Sequence, residues 1–252
     1  MQTAKALVLL LFTLVLIAAP DPLASAAGRN ASPVVVELFT SEACSSCPPA
    51  DALLTKLDRQ HEVNGAEVLV LGEHVDYFNS SGWADRFSSA KFSERQNDYA
   101  RRFQLPSAYT PQMVIDGNSE ALGSDPAAVE QKIGLAARIP KMVTVDLSWT
   151  AQRSLHVSVK GASGEPSAVL LAITENGLTT SVAAGENSGR VLQHSGVVRE
   201  LRQLGTISGG GFVTSAPIVP ARDWKRPNLR VVVFVQRLRN GEFIGAATVM
   251  FP

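Results

Sequence analysis

Apolar residues fall along this chain in two different rhythms. In the first half, Val34–Phe39 and Val68–Leu71 are short apolar runs of strand type, the second of the sort that is buried on both faces of a sheet. Between them Leu53, Leu54 and Leu57 stand at helical spacing, with Asp51, Lys56 and Asp58 around them. Strand, helix, strand predicts a β-α-β unit with a right-handed crossover. Phe92, Tyr99 and Phe103 mark one broad face of a second helix over Phe87–Phe103, flanked by Arg95, Arg101 and Arg102. A short strand, Gln112–Ile115, ends in an Asp-Gly turn. Asp125 and Pro126 then supply an N-cap and a first helical position for a helix running to about Arg138.

From Pro140 the period drops to two. Val143–Trp149 and Leu155–Val159 alternate strictly, and strand-like runs follow at Ala168–Thr174, Val191–Leu201, Phe212–Ile218, Leu229–Gln236 and Phe243–Met250. Runs of this length between Gly-, Asn- and Pro-containing turns, including Arg239-Asn240-Gly241, predict a β-sandwich. The boundary falls near Ile139–Pro140, giving an α/β domain over 28–139 and an all-β, sandwich-like domain over 140–252.

The first residues read as a targeting segment. Met1–Lys5 carry one positive charge, Ala6–Ala19 are almost wholly apolar, and Ala24-Ser-Ala26 fits a cleavage site. The run is shorter than the ~20 residues of a membrane-spanning helix. A signal peptide over 1–27 and a periplasmic or secreted protein are expected, with an uncleaved anchor as the alternative. Nothing downstream is apolar for long enough to span a bilayer, so no transmembrane segment is expected after signal cleavage.

Charge excludes more than it suggests. Lys and Arg number 23 against 23 Asp and Glu, a balance that gives no support to nucleic-acid binding. The chain has two cysteines, Cys44 and Cys47. Outside the cytoplasm a disulfide persists, so they pair with each other or with a substrate.

Cys44-Ser-Ser-Cys47 stands between a predicted strand and a predicted helix, the context of a redox motif. Unpaired N–H groups at a helix start favour a thiolate over a thiol, and the thiolate is the attacking species in disulfide exchange. Cys44 is the expected nucleophile and Cys47 the resolving thiol. A structural disulfide is the alternative, though so short a loop is worth only about 2 kcal/mol of unfolded-chain entropy against roughly 3 for a 15-residue loop. His74 and Asp76 also follow the carboxyl end of a strand, where ligands sit in open α/β sheets. If the two strands are neighbours, they share a rim with the cysteines. Trp83 lies in the turn-rich loop that follows, and Thr110-Pro111 immediately precedes a strand.

Several stretches together resemble a family of secreted bacterial proteins with a thioredoxin-like domain and no assigned function. They are Glu37–Asp51, His74-Val-Asp-Tyr77, Gly82-Trp83, Arg95-Gln96, Tyr109–Met113, Gly185–His194 and Val197-Val-Arg199. The resemblance implies an α/β thioredoxin-like N-terminal domain followed by an all-β C-terminal domain. It also implies a cis-proline at Pro111 facing the cysteines, and a buried acid, Glu37, serving Cys47 as general base. An acid at an exposed strand end, or one locked to an arginine, is the alternative for Glu37. Relative to working thioredoxins, Ala43 replaces a tryptophan and two prolines follow the pair. Pro48 biases Cys47 away from helical geometry, so regular helix is expected to start around Pro48 or Pro49.

The leading expectation is an exported thiol–disulfide oxidoreductase acting on protein thiols or disulfides of the cell envelope, with no cofactor beyond the redox-active Cys44–Cys47 disulfide. Cys44, Cys47, Pro111 and Glu37 would carry the chemistry, and Thr110, His74, Asp76 and Trp83 would meet the substrate. No resident metal is expected. Two alternatives stand beside it: a non-catalytic thioredoxin-fold scaffold for an envelope partner, and a soft-metal carrier in which two thiolates and His74 hold Cu(I).

Overall fold

The described residues of the computed structural model, 31–151 and 154–252, contain fourteen strands, three α-helices and one 3-10 turn at Arg226–Asn228. The signal peptide expected over 1–27 lies outside them. The first half contributes β1 (Ser32–Thr40), α1 (Pro48–Gln60), β2 (Glu62–Val63), β3 (Ala66–His74), α2 (Ala90–Arg102), β4 (Gln112–Ile115), β5 (Ser119–Leu122) and α3 (Pro126–Ala136). The second contributes β6 (Val143–Trp149), β7 (Ser154–Gly161), β8 (Ser167–Glu175), β9 (Leu178–Ser181), β10 (Val191–His194), β11 (Val197–Ile207), β12 (Phe212–Pro217), β13 (Leu229–Arg237) and β14 (Phe243–Met250).

The expected division into an α/β thioredoxin-like domain and a separate β-domain is not what forms. A mixed nine-stranded sheet runs β14-β13-β8-β11-β3-β1-β4-β5, with β2 added to β3. It therefore passes from the second half of the chain into the first, and the described residues are mostly β. The seam is β3 against β11, a parallel bridge at Gly72 and Val197. Glycines permit it. The Gly72 N–H donates to the Gly196 carbonyl at 2.7 Å, and a Cβ on Gly196 would lie 2.7 Å from Val70 Cγ2. Gly196 also has φ +64°, a conformation that glycine adopts without strain. The strand expected over Val191–Leu201 is for the same reason two strands, β10 and β11, separated by Ser195-Gly196.

Alternation along β1 sorts the core onto two faces. Val34, Val36 and Leu38 pack against Leu53, Leu54 and Leu57 of α1. Val35 joins a cluster with Phe92 of α2 and Phe234 and Phe243 of β13 and β14, while Phe39 packs on Tyr99 of α2. β1 and β3 are parallel in register from Ser32 opposite Ala66 to Thr40 opposite His74, so both strands end at one rim. A separate three-stranded sheet, β12-β7-β6, closes over β8 and β13 through Leu155, Val157, Leu171 and Val233. The Ile139–Pro140 position falls in the connection between α3 and β6.

Candidate functional site

Cys44 and Cys47 form a disulfide where the chain leaves β1 and enters α1. Cys47 is the N-cap of α1, and Pro48 and Pro49 occupy the first turn, where missing N–H groups cost nothing. Contrary to the bias expected from Pro48, Cys47 takes helical angles, φ −78° and ψ −34°. The Ala50 and Asp51 N–H groups both reach its carbonyl, at 2.9 and 3.1 Å, which offsets the steric preference. Both cysteines are buried, at 2% and 0% exposure. Ser45 and Ser46 between them are exposed.

Cys44 Sγ has two hydroxyl neighbours. Ser46 Oγ stands 3.4 Å away, and Thr110 Oγ1 donates at 3.5 Å. The Thr110–Pro111 peptide bond is cis, and Pro111 packs beside Gly123, where a Cβ would come within 3.2 Å of it. Thr110 is thus a direct neighbour of the disulfide through its side chain.

Behind the pair lies a buried polar cluster at the carboxyl ends of β1 and β3. His74 Nδ1 and Asp85 Oδ2 are 2.6 Å apart, and Asp85 Oδ2 also accepts the Glu42 N–H at 2.8 Å. Trp83 Nε1–H donates to Glu42 Oε2 at 2.8 Å, and Glu42 Oε1 stands 3.3 Å from His194 Nε2. The His74 and His194 rings meet edge to face with centroids 5.0 Å apart. His74 and Trp83 therefore belong to the support of the cysteine loop, His74 fully buried and Trp83 half-buried. Asp76 points elsewhere: Ser93 Oγ of α2 donates to its Oδ1 at 2.5 Å.

Three buried carboxyls of this region differ in their environments. Burial pushes Glu42 up, but the neighbouring His194, Thr180 and Trp83 side chains outweigh it and hold Glu42 below the usual range. Burial of Asp85 is likewise outweighed by His74 and by the Glu42 and Phe87 N–H groups, so it too is held down. Asp51 is the exception. Burial, aided by the charges of Asp85 and Glu42 and opposed by His194 and Thr40, pushes its carboxyl up to about 7. Asp51 sits four residues after Cys47, on the same side of α1. It also lines a cleft of about 520 Å³ between α1 and β10, beside Pro48, Thr55 and Leu192.

Glu37 is on the other face of the sheet. It shares the odd-numbered side of β1 with Val35 and Phe39, away from α1, and is fully buried. Arg95 Nε donates to Glu37 Oε1 at 2.6 Å and the Tyr99 hydroxyl to Oε2 at 2.5 Å. Glu73 completes this group, 3.6 Å from Arg95, with its carboxyl pushed well up by burial and by Glu37. The arginine-locked alternative describes Glu37, and its place across the sheet separates it from Cys47.

The most distant contributors come from the β9–β10 connection. Asn187 is fully buried, and its Nδ2 donates to the carbonyls of Glu42 and Cys44, each at 2.9 Å. Glu186 Oε2 accepts the Ser45 N–H at 3.1 Å. Asp51, Glu42, Asp85, Asn187 and His194 are thus the site residues that a reading of sequence alone does not assign. Asp51 lies beside the motif in plain view, and Asn187 and His194 fall inside the Gly185–His194 stretch, but only the fold brings them to the cysteines. Among the described residues no three His, Cys, Asp or Glu side chains are grouped to hold a metal ion.

Residues 35–236 match the profile of the family described as "Protein of unknown function (DUF1223)", and the chain belongs to that family. Among solved structures it is similar to protein AGR_C_4864 of Agrobacterium tumefaciens, at 25% identity and a TM-score of 0.73, over 87% of this chain and 94% of that one. A domain of the outer membrane lipoprotein Omp28 of Porphyromonas gingivalis matches at 15% identity over 44% of this chain and 88% of its own, with a TM-score of 0.28. No functionally curated protein matches.

Proposed function

We propose that this protein is an exported thiol–disulfide oxidoreductase of the cell envelope, acting on protein thiols or disulfides through Cys44 and Cys47. The observation that carries the reading is the asymmetric setting of the disulfide. Cys44 has two hydroxyls beside its sulfur, and Cys47 is followed one helical turn later by Asp51, a buried acid whose carboxyl is pushed up to about 7.

That asymmetry gives each sulfur a role. In the reduced pair, hydroxyls from Ser46 and Thr110 stabilise a Cys44 thiolate by hydrogen bonding to the charged form. The thiolate attacks one sulfur of a partner disulfide, forming a mixed disulfide and releasing the partner's other sulfur as a thiolate. Cys47 then gives its proton to the Asp51 carboxylate and attacks Cys44 Sγ. The partner's remaining sulfur leaves as a thiolate, and the Cys44–Cys47 disulfide is restored. Two electrons pass from the pair to the partner, and the reverse sequence oxidises a partner dithiol. The protein needs no other cofactor for either direction. Glu42, Asp85, His74 and His194 hold the loop that presents Cys44.

The reading is tested with the Cys47→Ser variant and a disulfide-bonded protein. Accumulation of a mixed disulfide through Cys44 supports it. Absence of any adduct over hours at pH 8 sinks it.

A further inference from the structure

The segment Gly185–Arg190 crosses the cysteine loop from the far half of the chain. Asn187 spends both Nδ2 protons on it, at the Glu42 and Cys44 carbonyls, and its own Oδ1 accepts from Arg190 Nη1 at 3.0 Å. Glu186, exposed on the outside, takes the Ser45 N–H. The segment starts at Gly185, which has φ +75° and leaves room for a Cβ only 3.1 Å from Trp83 Cβ and 3.2 Å from the Ser81 carbonyl. Trp83 in turn bonds Glu42, so the segment is fitted to the loop along its length.

Two consequences follow for the chemistry at Cys44. The first is access, since a thiol approaching Cys44 meets a sulfur whose residue is only 2% exposed and whose loop is held by Asn187. The second is charge. The Glu186 carboxylate sits on a backbone N–H next to Cys44, where a negative charge disfavours a second one on the sulfur.

We propose that Glu186 and Asn187 are positioning residues for the exchange reaction: together they strap the Cys44–Cys47 loop shut and hold the pair in its oxidised form. A partner protein reaches Cys44 by displacing the strap. The proposal rests on the thiol–disulfide reading for its biological sense, but its test does not.

Dithiothreitol reduces a disulfide without any partner surface: its thiolate attacks Cys44 Sγ and releases Cys47 as a thiolate, and its second thiol then closes to the cyclic disulfide, breaking the mixed disulfide and releasing Cys44 as a thiolate. In the full-length Asn187→Ala variant, reduction at pH 7 is expected to accelerate roughly tenfold to thirtyfold, the effect of two ordinary hydrogen bonds. In Glu186→Gln, which keeps an acceptor oxygen and removes the charge, alkylation of Cys44 in the reduced protein is expected to shift to lower pH. Glu186 is exposed, so this variant supplies the readout even where the buried Asn187 variant fails to fold. A wild-type reduction rate in Asn187→Ala, with or without a lower melting temperature, overturns the proposal. So does an alkylation profile of Glu186→Gln that superimposes on the wild type. Failure of the protein to exchange with protein disulfides would instead defeat the functional reading and leave the strap standing.

Discussion

The Asp51 N–H donates to the Cys47 carbonyl at 3.1 Å, so Asp51 follows the cysteine proposed to resolve the mixed disulfide by one helical turn. Asp51 is 7% exposed and lines the cleft between α1 and β10, and in the proposed exchange its carboxyl is the group that would accept the Cys47 proton. Asp51→Asn is expected to slow closure of the Cys44–Cys47 disulfide from the mixed disulfide by about a hundredfold near pH 7.5, the lower range for a lost general base. Rapid-quench kinetics of a preformed Cys44 mixed disulfide measure that step. A rate within twofold of the wild type, as an order-of-magnitude criterion, would remove the assignment.

The same carboxyl makes stability depend on pH in a defined sense. Its folded value of about 7 lies above the ordinary aspartate value of about 3.9, so between these limits the folded oxidised protein binds more protons than the unfolded chain. The stability this contributes is present at low pH and is lost as pH rises through the folded value. Urea midpoints at pH 5 and pH 8 should therefore differ less in Asp51→Asn than in the wild type. An unchanged difference contradicts the buried setting of Asp51.

Glu37 is expected to behave as a structural acid. With Arg95 and Tyr99 it sits across the sheet from α1, so Glu37→Gln should leave disulfide exchange at the wild-type rate across the pH range. Arg95→Leu, which strands Glu37 and Glu73 without a cation, should cost about 3–5 kcal/mol in urea unfolding. Slowed exchange in a folded Glu37→Gln protein would return Glu37 to the chemistry.

The seam between the halves is open to a similar test. Gly196→Ala forces a Cβ to within 2.7 Å of Val70 Cγ2 at a positive φ, and is expected to cost roughly 2–3 kcal/mol through strain and overpacking. Hydrogen exchange should speed up at the Gly72 amide, which bonds to the Gly196 carbonyl. A fully stable variant would contradict the closeness of β3 and β11.

Much of the local structure is legible in the hydrophobic pattern because each element carries its own signal. Strict alternation over Val143–Trp149 and the strand-like run Phe243–Met250 give β6 and β14 with their observed ends, and Asp125-Pro126 opens α3 as its cap chemistry requires. The sheet order is not legible, since one parallel bridge at Gly72 and Val197 joins the halves and nothing in either strand's periodicity names its partner. Alternation also places Glu37 with Val35 and Phe39. What it does not say is which face α1 covers, and that decides whether Glu37 or Asp51 stands near Cys47. Asp51 reads as a solvated first-turn acid until β10 and His194 are folded over it.

Thiol trapping of the full-length protein, equilibrated across a series of reduced-to-oxidised glutathione ratios, tests the central claim most directly. The account predicts one two-electron transition of Cys44–Cys47 in a protein that stays folded throughout, with Cys44 as the sulfur that carries glutathione in the Cys47→Ser variant. A pair that remains oxidised at every ratio, or that yields only when the protein unfolds, would show an inert staple and contradict it.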